Sequence, residues 1–318
     1  MEENTSKAAA SGIKQQFEAL GTLNTIMIYK NTNAKLLQDS IHRVMEIDNK
    51  MSVYKQDSEI TKINLAAGNQ EASISDETME LISLAKEMSK QSDGAFDITI
   101  GPLARLWGIG KSNNSIPLND EIMECCKLVN YQDIMINRTK KSILLKKQNQ
   151  SIDLGGIAKG YAADEVKRIL VEGGADSALI NLGGNIITIG RKPDKKSWRI
   201  GIQNPLAPRG EYVGYVLVEN QTIVTSGSNE RFFIKNGIRY HHLLDPLTGS
   251  PAQSGLLSVT VICESSVIAD ALTTALFILG MEKGISLLGY FQADAVFLTE
   301  DGGIFITDGL KEKYQSNC

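Results

Sequence analysis

The chain has 318 residues, 42% of them hydrophobic, and a net charge of −4. That is enough for one large core or two smaller ones. Charge is scattered, which excludes the basic block that a nucleic-acid or anionic-membrane partner requires.

The first residues, "MEENTSKAAASG", are acidic and polar, and residues 1–14 read as a disordered lead ahead of a single domain over 15–318. They lack the basic start and apolar stretch of a secretory signal. The expected compartment is therefore cytoplasmic as the sequence stands, or extracytoplasmic if a signal was removed. No run of about 18 apolar residues predicts a membrane span. "FEALGTLNTIMIYK" alternates like one or two strands broken at Gly21. Leu37, Ile41, Val44 and Met51 recur at helical spacing from Ala34 to about Met51. A second helix follows Ser75, where "SDET" supplies a cap and an acidic first turn. "KSNNSIPLND", 111–120, reads as a loop, and "DIMINRTKKSILLKK" as a hairpin. Next come a helix from about Ala158 to Glu172 and strands at "SALINLGGNIITIG", "WRIGIQ", "YVGYVLV" and "QTIVTSG". "RFFIKNGIRYHHLL" is a hairpin turning at Asn236-Gly237. A strand "LLSVTVIC", an apolar helix through Gly280 and a hairpin around "EDGG" close the chain. The expected fold is α+β, with mixed, largely antiparallel sheets, flanking helices and two lobes. Cys125, Cys126, Cys263 and Cys318 form no metal-binding or disulfide pattern.

Three stretches carry chemistry. "SIDLGGIAKGYAADEV", 151–166, has paired glycines, a lysine and a helix start. It is not a Walker A loop, because Lys159 precedes Gly160 and Tyr161 follows. Nor do Gly155, Gly156 and Gly160 match a dinucleotide fingerprint. Bare backbone N–H groups at a helix N-terminus still suit a phosphate. Lys159 sits in the first helical turn, where the macrodipole disfavours a cation. That suggests a nearby anion, with a solvated surface lysine as the alternative. "INLGGNI", 180–186, partly repeats the pattern and reads equally well as a tight turn.

In "SSVIADALTTALFILG", Asp270 lies inside a helix apolar on all sides. An ionised carboxylate there needs a cation or several donors. Thr274 is one turn further on the same face. The pair suits Mg²⁺ completed by water and phosphate oxygens. Alternatively, Asp270 favours the helix dipole and Thr274 bonds back to a carbonyl. His241 and His242 are adjacent on a strand and point to opposite faces, so at most one belongs to a given site. A histidine before a turn can be a general base at neutral pH.

Together these stretches resemble the FAD:protein FMN transferases, or ApbE-type flavin transferases. The matching pieces, in family order, are "MSVYKQDSEITKIN", "DGAFDITIGPLARLWGIG", "DLGGIAKGYAAD", "NLGGNI", "TSGSNERFF", "HHLLDPLTGSP" and "ADALTTALFILG". The resemblance implies an enzyme that binds FAD and Mg²⁺, transfers FMN to a Ser or Thr hydroxyl of an acceptor flavoprotein, and releases AMP. It implies Mg²⁺ ligation by the side chains of Asp270 and Thr274 and by the carbonyl of Gly156. FAD contacts would fall on Leu20, Tyr54, Ala95, Phe96, Asp97, Asp153, Lys159, Glu230 and Leu244. The family usually shows Met-Gly-Thr where this chain has Leu20-Gly21-Thr22. His242 is the expected base, and Asp270 is expected to serve catalysis through the metal. Two rivals keep the same site: an FAD pyrophosphatase that gives the phosphoryl group to water, and a non-catalytic FAD-binding protein.

Overall fold

The computed structural model describes residues 12–29, 33–110 and 115–317. Its strands begin with β1 (Ile13–Ala19) and β2 (Thr22–Ile28), joined by a two-residue turn. Leu20 and Gly21 both have positive φ there, 56° and 68°, as a tight hairpin requires. β1 thus includes Ile13 and Lys14 of the expected lead, whose first eleven residues lie outside the described ones. Next come α1 (Ala34–Met51), α2 (Glu59–Ala66), β3 (Ala72–Ser73) and α3 (Asp76–Gln91), the last capped by the Ser75 side chain accepting from Thr78 N–H. α4 (Gly101–Trp107) and α5 (Asn119–Cys126) follow. Of the expected loop over 111–120, residues 111–114 lie outside the described ones and Asn119 already opens α5.

β4 (Ile134–Asn137) and β5 (Ser142–Leu145) pair as expected, and α6 spans Ala158–Glu172. The stretch read as one strand over 177–190 is a hairpin. β6 (Ser177–Leu182) and β7 (Asn185–Gly190) turn on Gly183 and Gly184, both at positive φ. Then come β8 (Trp198–Gln203), β9 (Tyr212–Val218), β10 (Thr222–Gly227), β11 (Phe232–Lys235), β12 (Ile238–His241) and β13 (Leu256–Cys263). The apolar helix is interrupted at Gly280, as expected, and a second helical part follows it. α7 runs Ser266–Tyr290 with a break at Gly280, whose φ of 76° no helix accommodates. β14 (Asp294–Thr299), β15 (Ile304–Ile306) and β16 (Tyr314–Ser316) complete the order.

Eight strands form one antiparallel sheet in the order β1-β2-β6-β7-β10-β13-β14-β15. α6 and α7 cover one face and α1 packs on α6. The three-stranded sheet β16-β9-β8 covers the other, with Trp198, Ile200 and Val216 against Ile223, Ile262 and Val296. Strand β13 is buried on both faces. A bulge between Leu256 and Ser258 lets Leu256 face the helices while Leu257 faces the second sheet. The second lobe, α2, α3 and the sheet β3-β5-β4, shares its core with the first, since Ile82, Met88 and Ile143 join the same buried cluster as Ile180 and Leu276. By length and composition α7 could cross a membrane, yet it is a core helix here, packed on α6, β10 and β13.

Candidate active site

The site forms where α6 and α7 begin. The 152–157 segment leading into α6 is fixed from both sides. Asn64 of α2 exchanges hydrogen bonds with the Ile152 backbone at 2.8 and 3.0 Å, and Asp153 N–H donates to the Ile98 carbonyl at 2.7 Å. Asp153 Oδ1 then accepts from Gly155 N–H, tightening the turn. No side chain caps α6 locally. Its free Gly160 N–H instead donates to Asp270 Oδ2 at 2.9 Å. The anion expected at this helix N-terminus is therefore, in the protein itself, the Asp270 carboxylate.

That contact requires the two helices to touch. A Cβ on Gly160 would press into the Ser266 carbonyl and stand 2.7 Å from Val267 Cα. The reverse cap is Asp164, one turn along α6. Its carboxylate accepts from Ser266 N–H, Val267 N–H and Ser265 Oγ at 2.9 to 3.0 Å, holding the start of α7. Burial pushes Asp164 above the usual carboxylate range, against the pull of those three donors. The sequence pattern alone assigns Asp164 no role. Its spacing of four from Gly160, on the same helical face, was the available signal.

Lys159 supplies the cation that Asp270 needs. Its Nζ donates to the Gly155 carbonyl at 2.9 Å and stands 3.5 Å from Asp270 Oδ1. Burial of Asp270 is thus satisfied by Gly160 and Lys159 and does not by itself demand a metal. The fit of Mg²⁺ rests on three oxygens. Thr274 Oγ1 lies 3.6 Å from where a Gly156 Cβ would be, while Phe96 packs against the same glycine. The hydrogen bond back to the Asp270 carbonyl is made by Thr273, whose Oγ1 also accepts from Ser226 Oγ. Among the described residues neither the Thr274 hydroxyl nor the Gly156 carbonyl has a hydrogen-bond partner, and Asp270 Oδ1 has only the 3.5 Å ion pair. No group of three or more His, Cys, Asp or Glu that could hold a metal occurs among the described residues. One carboxylate with two neutral oxygens fits an ion that takes the rest of its shell from water and phosphate.

The two histidines separate as their alternation requires. His241 is buried, with Nε2 donating to the Ala252 carbonyl at 3.1 Å and the ring edge-on to Phe277. Burial lowers its pKa. His242 is half-buried, crowded by neighbours but retaining solvent contact, and near enough to Lys159 to feel its charge. Its Nδ1 meets the Arg231 carbonyl at 3.3 Å. A carbonyl only accepts, so Nδ1 carries the proton and Nε2 keeps a free lone pair. Burial chiefly, with the charges of Arg231, His241 and Lys159 in addition, pushes its pKa down to about 4. Lys159 thereby links the histidine electrostatically to the Asp270 cluster.

The remaining expected residues surround this centre. Ala95, Phe96 and Asp97 are buried. The Asp97 carboxylate is engaged inward by Thr99 N–H, Thr99 Oγ1 and Tyr131 N–H at 2.7 to 2.8 Å, so its side chain braces the loop. The Leu244 side chain is buried in a small core with Leu103 and Trp107, leaving its backbone as the part able to meet a ligand. Tyr54 is exposed, on the turn before α2. Glu230 pairs with Arg209 at 3.3 Å, beside Arg231. Leu20 sits in the β1–β2 turn, at the same end of the sheet as the Gly183-Gly184 turn.

A helix-terminus anion site, one carboxylate with two free neutral oxygens, a lysine and a neutral histidine are the equipment of a phosphoryl-transfer enzyme. Its lineage is definite: the chain belongs to the ApbE family, whose model matches residues 20–297. A relative from Klebsiella pneumoniae (strain 342), named FAD:protein FMN transferase, is 36% identical over 296 residues, covering 93% of this chain and 92% of the relative. One of the same name from Treponema pallidum is 30% identical over 312 residues, covering 92% and 86%. The crystal structure of the ApbE protein from Thermotoga maritima superposes with a TM-score of 0.89 at 32% identity, covering 96% of this chain and all of that one. The flavin transferase ApbE from Vibrio cholerae gives 0.86 at 26% identity, covering 96% and 99%.

Proposed function

We propose that this chain transfers the FMN portion of FAD to an acceptor protein, and that the atom modified is a Ser or Thr hydroxyl oxygen. Family membership supports the transferase class and FAD as substrate. The observation that carries the finer reading is the grouping of Asp270, Thr274 and Gly156 with Lys159 and a neutral His242. The acceptor oxygen attacks the FMN-side phosphorus, a new P–O bond forms, and the bond to the AMP phosphate breaks, so AMP leaves with the bridging oxygen. His242 Nε2 takes the hydroxyl proton. Lys159 and the N-terminus of α6 face the pyrophosphate, whose negative charge offsets part of the push that keeps His242 weakly basic. The glycines of the loop let the backbone approach the nucleotide closely. Asp270, Thr274 and the Gly156 carbonyl would hold Mg²⁺, which when bound neutralises charge on the pyrophosphate.

The test mixes the protein with FAD and Mg²⁺, with and without a Thr-containing flavoprotein, following AMP release and acceptor mass. An FMN-sized gain, with AMP released only when the acceptor is present, supports the transferase. AMP and free FMN without acceptor make it a pyrophosphatase. FAD binding without AMP makes it a carrier.

A further inference from the structure

The transferase reading leaves open where the acceptor is held, and the β11–β12 ribbon offers a place. These two strands form a sheet of their own, with no third strand on either edge among the described residues. One face is packed: Phe233 and Tyr240 stack at 5.1 Å and join the small core of Leu103, Trp107 and Leu244. The other carries Phe232 and Ile234, the latter 64% exposed, and Ile238 at the ribbon tip is 54% exposed. An apolar ribbon with open edges invites pairing with another chain.

The surroundings are cationic. An open cleft of about 300 Å³ beside the ribbon is lined by Gln203, Pro205, Arg209, Glu230, Phe232 and Arg239. Arg239 lies over the Phe232 ring, 4.7 Å from its centroid. Arg209 is paired with Glu230, whereas Arg231, Lys235 and Arg239 have no carboxylate partner among the described residues. The ribbon also leads to the reacting end. His242 directly follows β12, and both its N–H and its Nδ1 meet the carbonyl of Arg231, just before β11.

We propose that the acceptor docks as an extended segment with acidic residues flanking the target hydroxyl. Resting on the transferase reading, the segment adds to an open edge of the β11–β12 ribbon and lays apolar side chains on Phe232 and Ile234. Its carboxylates meet Arg231, Lys235 and Arg239, and its hydroxyl reaches His242. Main-chain pairing supplies affinity and the cations supply selectivity.

The probes are three synthetic Thr-containing peptides, identical except for Asp, Asn or Lys on either side of the Thr, given to the enzyme with FAD and Mg²⁺. The Asp peptide is expected to be flavinylated with a kcat/KM about tenfold above the Asn peptide, with the Lys peptide lowest and the difference in KM. Arg239→Glu should reverse the order while FAD affinity is unchanged. Lys235→Glu, at an exposed position with no ion-pair partner among the described residues, should do the same if Arg239→Glu disturbs the ribbon. Equal labelling of the three peptides overturns the docking proposal. So does labelling of none while a whole-protein acceptor is modified, and both outcomes leave the transferase reading standing. Failure to modify any acceptor overturns that reading and this proposal with it.

Discussion

Gly160 is the position where fold and site depend on the same missing atom. In Gly160→Ala the new Cβ meets backbone, the Ser266 carbonyl and Val267 Cα, so no side chain can rotate away. Relief requires α6 and α7 to separate. Overpacking of this kind costs about 1–3 kcal/mol. Alanine's better helix propensity returns about 1 kcal/mol, leaving a net loss of about 0–2 kcal/mol. Separation also lengthens the 2.9 Å bond from Gly160 N–H to Asp270. A shift of about 1 Å at a reacting centre can lower the rate on the order of 100-fold. The control is Gly289→Ala, a helical glycine of α7, where nothing lies within 4 Å of the added Cβ. It should stabilise by about 0.4–1 kcal/mol and leave transfer unaffected. Urea unfolding and FMN transfer measured on both variants decide the matter. If Gly160→Ala behaves like Gly289→Ala, close helix contact is not what positions Asp270.

Asp164→Ala strands the Ser266 and Val267 N–H groups, so a loss of about 1–2 kcal/mol is expected in denaturant unfolding. FMN transfer should fall with it because α7 carries Asp270; undiminished transfer would dissociate the cap from the site. His242, held near 4 against an ordinary 6.5, stays neutral in the fold where the unfolded chain would take up a proton. Its contribution to stability is present above pH 6.5 and is lost as pH falls through about 4. For the free enzyme, the acid limb of kcat/KM should have its midpoint near 4, and a midpoint at 6.5 or above would remove His242 in this environment as the base. Lys159→Met leaves Asp270 with the Gly160 N–H alone. Titration calorimetry should find tighter Mg²⁺ binding without nucleotide and weaker FAD binding; unchanged Mg²⁺ affinity would mean that lysine and metal do not share the carboxylate.

Much of the fold was legible because local signals agreed. α1 carries a clear apolar stripe, Ser75 caps α3, and Asn236-Gly237 is a turn whose two residues tolerate positive φ. The departures also have local causes. Gly183-Gly184 resembled the loop before α6 and read equally well as a tight turn; the turn is what forms, and it divides the expected strand into a hairpin. Gly280 does end the first part of α7, as its pattern indicated; what went unread is the second part, where Leu287 and Leu288 return to the core and Gly284 packs closely on Leu276. The sheet order could not be read locally, since β2 pairs with β6 across more than a hundred residues.

The site divides in the same way. Asp270 and Lys159 each stood out as a charge in a setting that disfavours it, one in an apolar helix and one at a positive helix end. Neither oddity could be resolved alone, because each is part of the other's answer. Asp270 caps the helix that bears Lys159, and Lys159 lies beside the carboxylate. Asp164 closes the arrangement by capping the helix that bears Asp270. The two helix N-termini are therefore tied start to start, and their positive ends converge on one small region. Asp270 at one start and Asp164 at the other occupy part of that field. On the proposed reading, the pyrophosphate of FAD would take what remains of it, and Mg²⁺ held beside Asp270 would let both negative groups share the space. The lysine that seemed misplaced is anchored by the Gly155 carbonyl and Asp270, which leaves Thr274 and the Gly156 carbonyl free to take part.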